Sequence, residues 1–414
     1  MTSLTSEENE CVSKFVQYLQ IPTVSSIPSK FQAAKCVAFL KAQAEELQLP
    51  FEVIELVPGW PLVLMTWVGT SPDAPSLLLN SHFDVVPAED AKWHWDPFGA
   101  EIDEEGRIYA RGTQDMKCVG IQYLCAIRRL KAMNYSPKRT MHLLYVPDEE
   151  IGGHKGMEPF VLTDKWKSLN VGFVLDEGLA SPTEEHTVFY GERAAWWIKL
   201  VATGPAGHGS ALIKGTATEK LWRVMSHFME RRAVEVSKLE EEGCMGYISD
   251  VTTINLTSMK AGVSSDGGET FATNVIPTVA QCGFDIRVTP KEDMAVFKEK
   301  VESWVNSQEG VECQWLQKNF DNKVSQLDSS CPEWVTFEKV LHQEGLTYRS
   351  AIFPAATDSR YIRALGIPCA GFSPMTKTPI LLHDHDEFLS VPVYLKGIVL
   401  YERLLSALGD CLTA

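Results

Sequence analysis

The chain has 414 residues, 45% of them apolar and 22% charged, which is ordinary for a globular protein but more than one hydrophobic core usually serves, so two domains are expected. Its 54 acidic and 38 basic side chains leave a formal charge of −16, which repels phosphate backbones and anionic lipid surfaces and excludes nucleic acid and membrane as expected partners. The opening MTSLTSEENECVSKF is polar and acidic where a signal peptide needs a basic end and an apolar core, and no apolar run reaches the ~18 residues of a membrane span, so a cytoplasmic location is expected. Ten cysteines occur without a C-x-x-C pair, which argues for buried thiols rather than a zinc ribbon or a disulfide framework.

Taken in chain order, residues 76 to 178 alternate short apolar runs with amphipathic stretches: a strand at Leu77 to Leu79, a helix from Met116 to Met133, then strands at His142 to Val146 and Val171 to Leu175. This is the pattern of an α/β layer with a mainly parallel sheet. The helix is read from Met116, Val119, Tyr123, Ile127 and Leu130, whose three- and four-residue steps make one buried face. Strands at Ala195 to Thr203, Val251 to Lys260 and Val279 to Val288, with helices near 216–241 and 292–306, predict an inserted α+β domain of ferredoxin-like type. Met225 and Phe228 on the first of these helices form a packing face for its sheet or for a dimer. Val263-Ser-Ser-Asp-Gly-Gly-Glu-Thr270 is turn chemistry and predicts an exposed loop. After about residue 325 the α/β pattern returns and ends in a helix from Val393 to Leu408. The expected boundaries are 1–191 and 313–414 for the larger domain, with 192–312 inserted.

Acids and histidines gather at the ends of the predicted strands. His82 and Asp84 follow the first, Asp148, Glu149 and Glu150 the second, and Asp176 and Glu177 the third, while Asp115 precedes the helix. In an open α/β sheet the carboxyl ends of strands line one crevice, so residues dozens of positions apart can converge there. An acid at a helix start is more often a cap, and a lone histidine more often a structural one; the joint pattern is what points to a site. So many carboxylates cannot all remain ionised together without a cation. Imidazole with carboxylate suits zinc, and this donor set can hold two ions about 3.5–4 Å apart. A second histidine is expected from Leu381 to Glu387, and Asp84 is placed to orient His82 through its second ring nitrogen.

The segments SHFDVVP (81–87), YARGTQDMK (109–117), VPDEEIGG (146–153), LDEG (175–178), GHG (207–209), NVIP (274–277), ATDSR (356–360) and LHDHDE (382–387), in this order, give the chain a specific resemblance. It is similar over nearly all of its length to the co-catalytic two-zinc hydrolases, a family of aminoacylases, carboxypeptidases and dipeptidases, and within it to the aminoacylases. The resemblance implies a zinc-peptidase-like catalytic domain with an inserted lid and dimerisation domain, a homodimer, and cleavage of N-acyl-L-amino acids. It also implies that His82, Asp115 and Glu177 hold one zinc and that Asp115, Glu150 and His383 hold the other, with Asp115 as the bridge. His383 is chosen over His385 on the family register. Glu149 is implied as general base, Asp84 as the aspartate supporting His82, His208 as oxyanion donor from the other subunit, and Arg360 and Asn274 as substrate contacts. The alternative is a dipeptidase or carboxypeptidase on the same scaffold, since the amide chemistry is shared; Glu177 favours the acylase or carboxypeptidase side.

Overall fold

The computed structural model describes residues 4–241, 248–319 and 323–412. Packing divides the chain into two units, the first made of Met1–Tyr190, Val324–Ala351 and Thr357–Ala414, the second of Gly191–Lys323 and Ile352–Ala356.

The first unit is built on an eight-stranded sheet in the order Phe51–Glu55, Pro61–Trp67, Met141–Val146, Ser76–His82, Val171–Asp176, Cys369–Phe372, His186–Glu192, Tyr348–Phe353. Its centre is parallel: Ser76–His82 lies between Met141–Val146 and Val171–Asp176, and Cys369–Phe372 runs parallel to the latter. The flanks are antiparallel, so the sheet is mixed. Both Ser76–His82 and Met141–Val146 are buried at every position, as central strands with both faces covered must be. Among the polar groups that this burial traps, Asn80 Nδ2 donates to Asp176 Oδ1 at 3.0 Å and Tyr145 Oη to the Gly120 carbonyl at 2.8 Å.

The helix Lys117–Ala132 covers one face. It is buried on nearly all sides rather than on one, because the N-terminal helix Ser6–Leu19 and the C-terminal helix Val391–Asp410 pack against it from the other directions. Its close approach to the sheet depends on Gly120, where a Cβ would stand 2.7 Å from Ser81 Oγ and 2.8 Å from the Tyr145 ring. The largest apolar cluster lies in this layer, and a second fills the opposite face beneath Met157, Phe160 and Trp166.

The second unit has a four-stranded antiparallel sheet in the order Thr253–Ala261, Val279–Val288, Ala194–Thr203, Val311–Lys318. The helices Ala217–Glu241 and Met294–Asn306 connect these strands, giving the strand–helix–strand–strand–helix–strand order of a ferredoxin-like fold. Met225 and Phe228 pack inward on this sheet, Phe228 stacking on Phe284 at 4.6 Å, so of the two roles open to that face the intradomain one is occupied. Val311–Lys318 crosses the expected boundary at 312 and pairs along Ala194–Thr203, which is why this unit continues to Lys323. Residues 263–270 carry no regular structure and are largely exposed. No helix among the described residues is long and apolar enough to cross a membrane. Nine described cysteines are free, most of them buried.

Candidate metal centre

Three neighbouring parallel strands end side by side, and the residues that follow them supply most of the site. The register pairs His82 with Val146, so the chain leaving Met141–Val146 passes directly into Asp148, Glu149 and Glu150 beside His82. Val171–Asp176 ends one residue before Glu177. The fourth contributor, Asp115, stands at the entry to the Lys117–Ala132 helix. His383 arrives from the loop before Phe388–Ser390 with a left-handed backbone (φ 63°) and a half-exposed side chain.

The two histidines meet on one carboxylate. His82 Nε2 lies 2.9 Å from Asp115 Oδ1, and His383 Nε2 lies 3.2 Å from Asp115 Oδ2. His82 Nε2 is also 3.7 Å from Glu177 Oε2, and His383 Nε2 is 3.0 Å from Glu150 Oε2. Asp115 therefore offers one oxygen to each imidazole, the disposition a bridging ligand requires. Two three-residue groups divide the ligands differently from the expected assignment: His82 with Glu149 and Glu177, and His82 with Asp115 and Glu150, each offering ligand atoms within 4.8 Å of one another.

Burial and charge set the protonation of this cluster. Burial opposes charge on His82, but the Asp115 and Glu177 carboxylates outweigh it and hold the imidazole well above its usual pKa. His383 is pushed up to about 10 by its bonds to Asp115 and Glu150. Burial pushes Asp115 upward too, yet the two imidazoles win and its pKa is lowered. Burial raises Glu149 and Glu177 well above the carboxylate range, reinforced by the charges of Glu177 on the former and Asp115 on the latter, and Glu150 is raised by burial and Asp115. Four carboxyl groups and two imidazoles thus share a space too small and dry for all to keep their ordinary charge states.

Such a donor set fits divalent ions. Zinc bonds of 2.0–2.2 Å in tetrahedral geometry hold neighbouring ligand atoms about 3.3 Å apart, and the contacts between histidines and carboxylates span 2.9 to 3.7 Å. Glu150 Oε1 is buried with no hydrogen-bond partner, an acceptor that a cation satisfies.

Asp84 meets the second ring nitrogen of His82 with its backbone carbonyl. His82 Nδ1 donates to the backbone carbonyl of Asp84 at 2.9 Å, while the Asp84 carboxylate stands 3.6 Å away. That carboxylate instead accepts the backbone N–H groups of Glu149 at 3.1 Å and Glu150 at 3.2 Å, and burial raises its pKa to about 7. One residue thus fixes the ring of His82 and the turn that carries two acids. The far end of that turn is held by Arg360, whose Nη2 donates to Gly152 O at 2.7 Å and Nη1 to Thr357 O at 2.9 Å, and by the Tyr361 hydroxyl on the same Gly152 carbonyl at 2.6 Å. Gly153 needs to be glycine, with φ 69° and Asp358 Oδ1 2.4 Å from where a Cβ would stand.

Asp358 went unread in the sequence. It is fully buried with neither carboxylate oxygen hydrogen-bonded, and burial lifts its pKa well above normal; its position inside ATDSR was the only signal. His208 and Asn274 lie in the second unit, on one short ribbon in which Gly207 pairs with Ile276 and Gly209 N donates to Asn274 O at 2.6 Å. His208 is exposed, with Nδ1 2.7 Å from Ser210 Oγ. Asp386 binds His94 Nδ1 at 2.6 Å.

The chain is also similar to known proteins in sequence and in fold. Aminoacylase-1 of Mus musculus is 46% identical over 409 residues, spanning 97% of this chain and 96% of that protein. Aminoacylase-1 of Dictyostelium discoideum is 46% identical over 398 residues, spanning 95% and 96%. In fold, the chain is similar to the M20 family metallo-carboxypeptidase Sso-CP2 of Sulfolobus solfataricus, with a TM-score of 0.72 at 18% identity, covering 98% of this chain and 100% of that one. Human carnosine dipeptidase 1 has a TM-score of 0.68 at 13% identity, covering 97% and 96%. With the model of Peptidase family M20/M25/M40 matching residues 78–407, over the same strands and loops that assemble the acids and imidazoles, the chain belongs to that family.

Proposed function

We propose that the chain is a zinc-dependent aminoacylase, holding two ions per subunit and hydrolysing N-acyl-L-amino acids to a carboxylate and a free L-amino acid. The observation that carries this reading is the meeting of His82 and His383 on the two oxygens of Asp115, with Glu150 and Glu177 completing the ligands and Glu149 beside them. The substrate class is supported by the 46% identity to aminoacylase-1 over 97% of the chain. A dipeptidase or carboxypeptidase reading draws only on likenesses of 13–18% identity, which speak to fold.

His82, Asp115 and Glu177 are assigned to one zinc, and Asp115, Glu150 and His383 to the other. Bound there, zinc supplies Lewis acidity, polarising an acyl carbonyl and lowering the pKa of water. Glu149 takes a proton from the attacking water and returns it to the leaving amine. Burial and the Glu177 charge raise its pKa above the usual carboxylate range, which strengthens it as a base. Asp84 aligns this base with His82 by holding both segments. Arg360 is assigned the substrate carboxylate, to which a guanidinium gives a charge-assisted bond. His208 of a second copy is the proposed oxyanion donor, with Asn274 beside it as a substrate contact. A homodimer through the second unit is supported by the open edge of its sheet at Thr253–Ala261 and by Met259 and Leu316, 67% and 65% exposed. The free thiols support a cytoplasmic setting.

Glu149→Gln is expected to lower turnover of N-acetyl-L-methionine by ~10²–10⁴ while zinc content stays at the wild-type value. Wild-type turnover in this variant would remove Glu149 from the mechanism, and a substrate panel in which dipeptides outrun acyl amino acids would replace the aminoacylase reading.

A further inference from the structure

A second polar cluster joins the segment leading to Asp115 to the segment that carries His383. Glu387 is fully buried, and its carboxylate accepts four hydrogen bonds from a single stretch of chain. Oε2 receives Arg111 Nη1 at 2.8 Å and the Gly112 N–H at 3.1 Å, and Oε1 receives the Gln114 N–H at 2.7 Å and the Thr113 hydroxyl at 3.2 Å. Its backbone carbonyl accepts the Ala110 N–H at 3.1 Å. The traffic also runs the other way. Gln114 Nε2 donates to the carbonyls of Pro379 at 3.1 Å and Phe388 at 2.8 Å, while its Oε1 accepts the Leu381 N–H at 3.0 Å. Arg111 Nη1 also reaches the Asp384 carbonyl at 3.0 Å.

The topology explains why these segments meet. Phe388–Ser390 pairs with Arg107–Tyr109, Phe388 opposite Tyr109, so residues 110–114 and 379–387 leave adjacent strand ends and run side by side. The first segment ends at Asp115 and the second carries His383, two ligands from opposite parts of the sequence that must stand about one metal ion apart. Half exposed on an irregular loop, His383 has little packing of its own to hold it.

We infer that Glu387 is a positioning residue for the metal centre: its buried carboxylate laces the segment leading to Asp115 onto the segment carrying His383, and so sets the separation of the two ligands. The inference rests on the metal-dependent reading proposed above. Charge matters to the device, because a carboxylate can accept all four bonds, whereas an amide in its place turns one end into a donor facing N–H groups.

The test compares wild-type protein with Glu387→Gln and Arg111→Lys, measuring zinc affinity by competition with a chromophoric chelator, melting of the metal-free protein, and kcat and KM for N-acetyl-L-methionine. Glu387→Gln is expected to weaken the looser zinc equivalent by about 10–100-fold, with kcat falling in step with occupancy, recovering as free zinc is raised, and KM unchanged within about twofold. Arg111→Lys keeps the charge but loses the planar donor, and is expected to shift zinc affinity the same way by less. Wild-type zinc affinity in folded Glu387→Gln, even with a lower melting point, would reduce Glu387 to a structural residue and overturn the inference; should that variant not fold, wild-type affinity in Arg111→Lys would do so. A wild-type protein that binds no zinc would remove the metal reading itself and this inference with it, whereas failure of the variants alone would leave that reading standing.

Discussion

Asp84 shows how much one side chain can organise when its backbone and carboxylate face different segments. Its carbonyl holds the ring of His82 and its carboxylate holds the N–H groups of Glu149 and Glu150. His142, on the strand that leads into that turn, offers a test of burial against charge. It is nearly buried, its Nδ1 lies 3.0 Å from the Thr66 hydroxyl, and burial lowers its pKa to about 4 from 6.5. The folded protein therefore keeps His142 neutral, while the unfolded chain takes up a proton once the pH drops below 6.5. The stability this contributes is present in full above pH 6.5 and is lost as the pH falls toward 4, about 3 kcal/mol over the whole window. His142→Gln is expected to make the fall in urea midpoint between pH 6.5 and 4.5 shallower than in wild type. Parallel slopes for the two proteins would mean that the carboxylate and imidazole cluster alone sets the acid response.

Elements are joined here by buried ions as well as by apolar faces. Arg139, just before Met141–Val146, is almost wholly buried; it donates to Glu333 Oε1 at 2.6 Å and to the Cys411 carbonyl at 3.3 Å, and its backbone N–H bonds the Gly409 carbonyl at 2.9 Å. It thereby fastens the helices Pro332–Gln343 and Val391–Asp410 to the sheet. Arg139→Ala would leave Glu333 buried without a counter-charge and is expected to destabilise by about 3–5 kcal/mol in urea unfolding, with the double variant Arg139→Ala, Glu333→Ala recovering part of that loss. Such long-range pairs explain which elements the sequence disclosed. Ser76–His82, Met141–Val146 and Val171–Asp176 were visible because central parallel strands are largely apolar, and their ends located His82, Glu149, Glu150 and Glu177. Asp115 and His383 needed the order of motifs as well, since neither follows a sheet strand. The Asp84 carboxylate, whose partners are backbone N–H groups 65 and 66 residues away, and Glu387, whose partners lie 273 to 276 residues away, leave no periodic trace. The expected boundary at 312 cuts through Val311–Lys318, a strand not read from the sequence, whose burial alternates and whose pairing with Ala194–Thr203 ties it to the inserted unit.

Across the whole molecule, the concentration of buried charge in one place couples folding to metal. Without ions the acids and imidazoles neutralise one another, as the raised pKa values of His82 and His383 and the lowered value of Asp115 show, so the metal-free protein is expected to remain folded. An ion that binds only the folded state adds about 4 kcal/mol when present at a thousand times its Kd. Chelation at pH 7 is therefore expected to lower the melting temperature by several degrees while leaving the far-ultraviolet circular dichroism intact, and added zinc should restore it. An unchanged melting temperature would favour a protein that kept this fold without using a metal.

The sheet of the first unit has a gap that only late residues can fill. Cys369–Phe372 is threaded between Val171–Asp176 and His186–Glu192, parallel to one and antiparallel to the other, although nearly two hundred positions separate it from both in the chain. At about 5–20 residues per second of synthesis, a ribosome that has just produced residue 192 needs roughly ten to forty seconds more before that strand and His383 emerge. Through this interval the two earlier strands have no neighbour between them, while the inserted unit, nearly continuous in sequence, has most of what it needs to form. Nascent chains of this protein therefore pass through a stage in which the smaller unit has all but Ile352–Ala356 and the larger one still exposes unpaired backbone, and that window is where chaperone binding and aggregation are most to be expected.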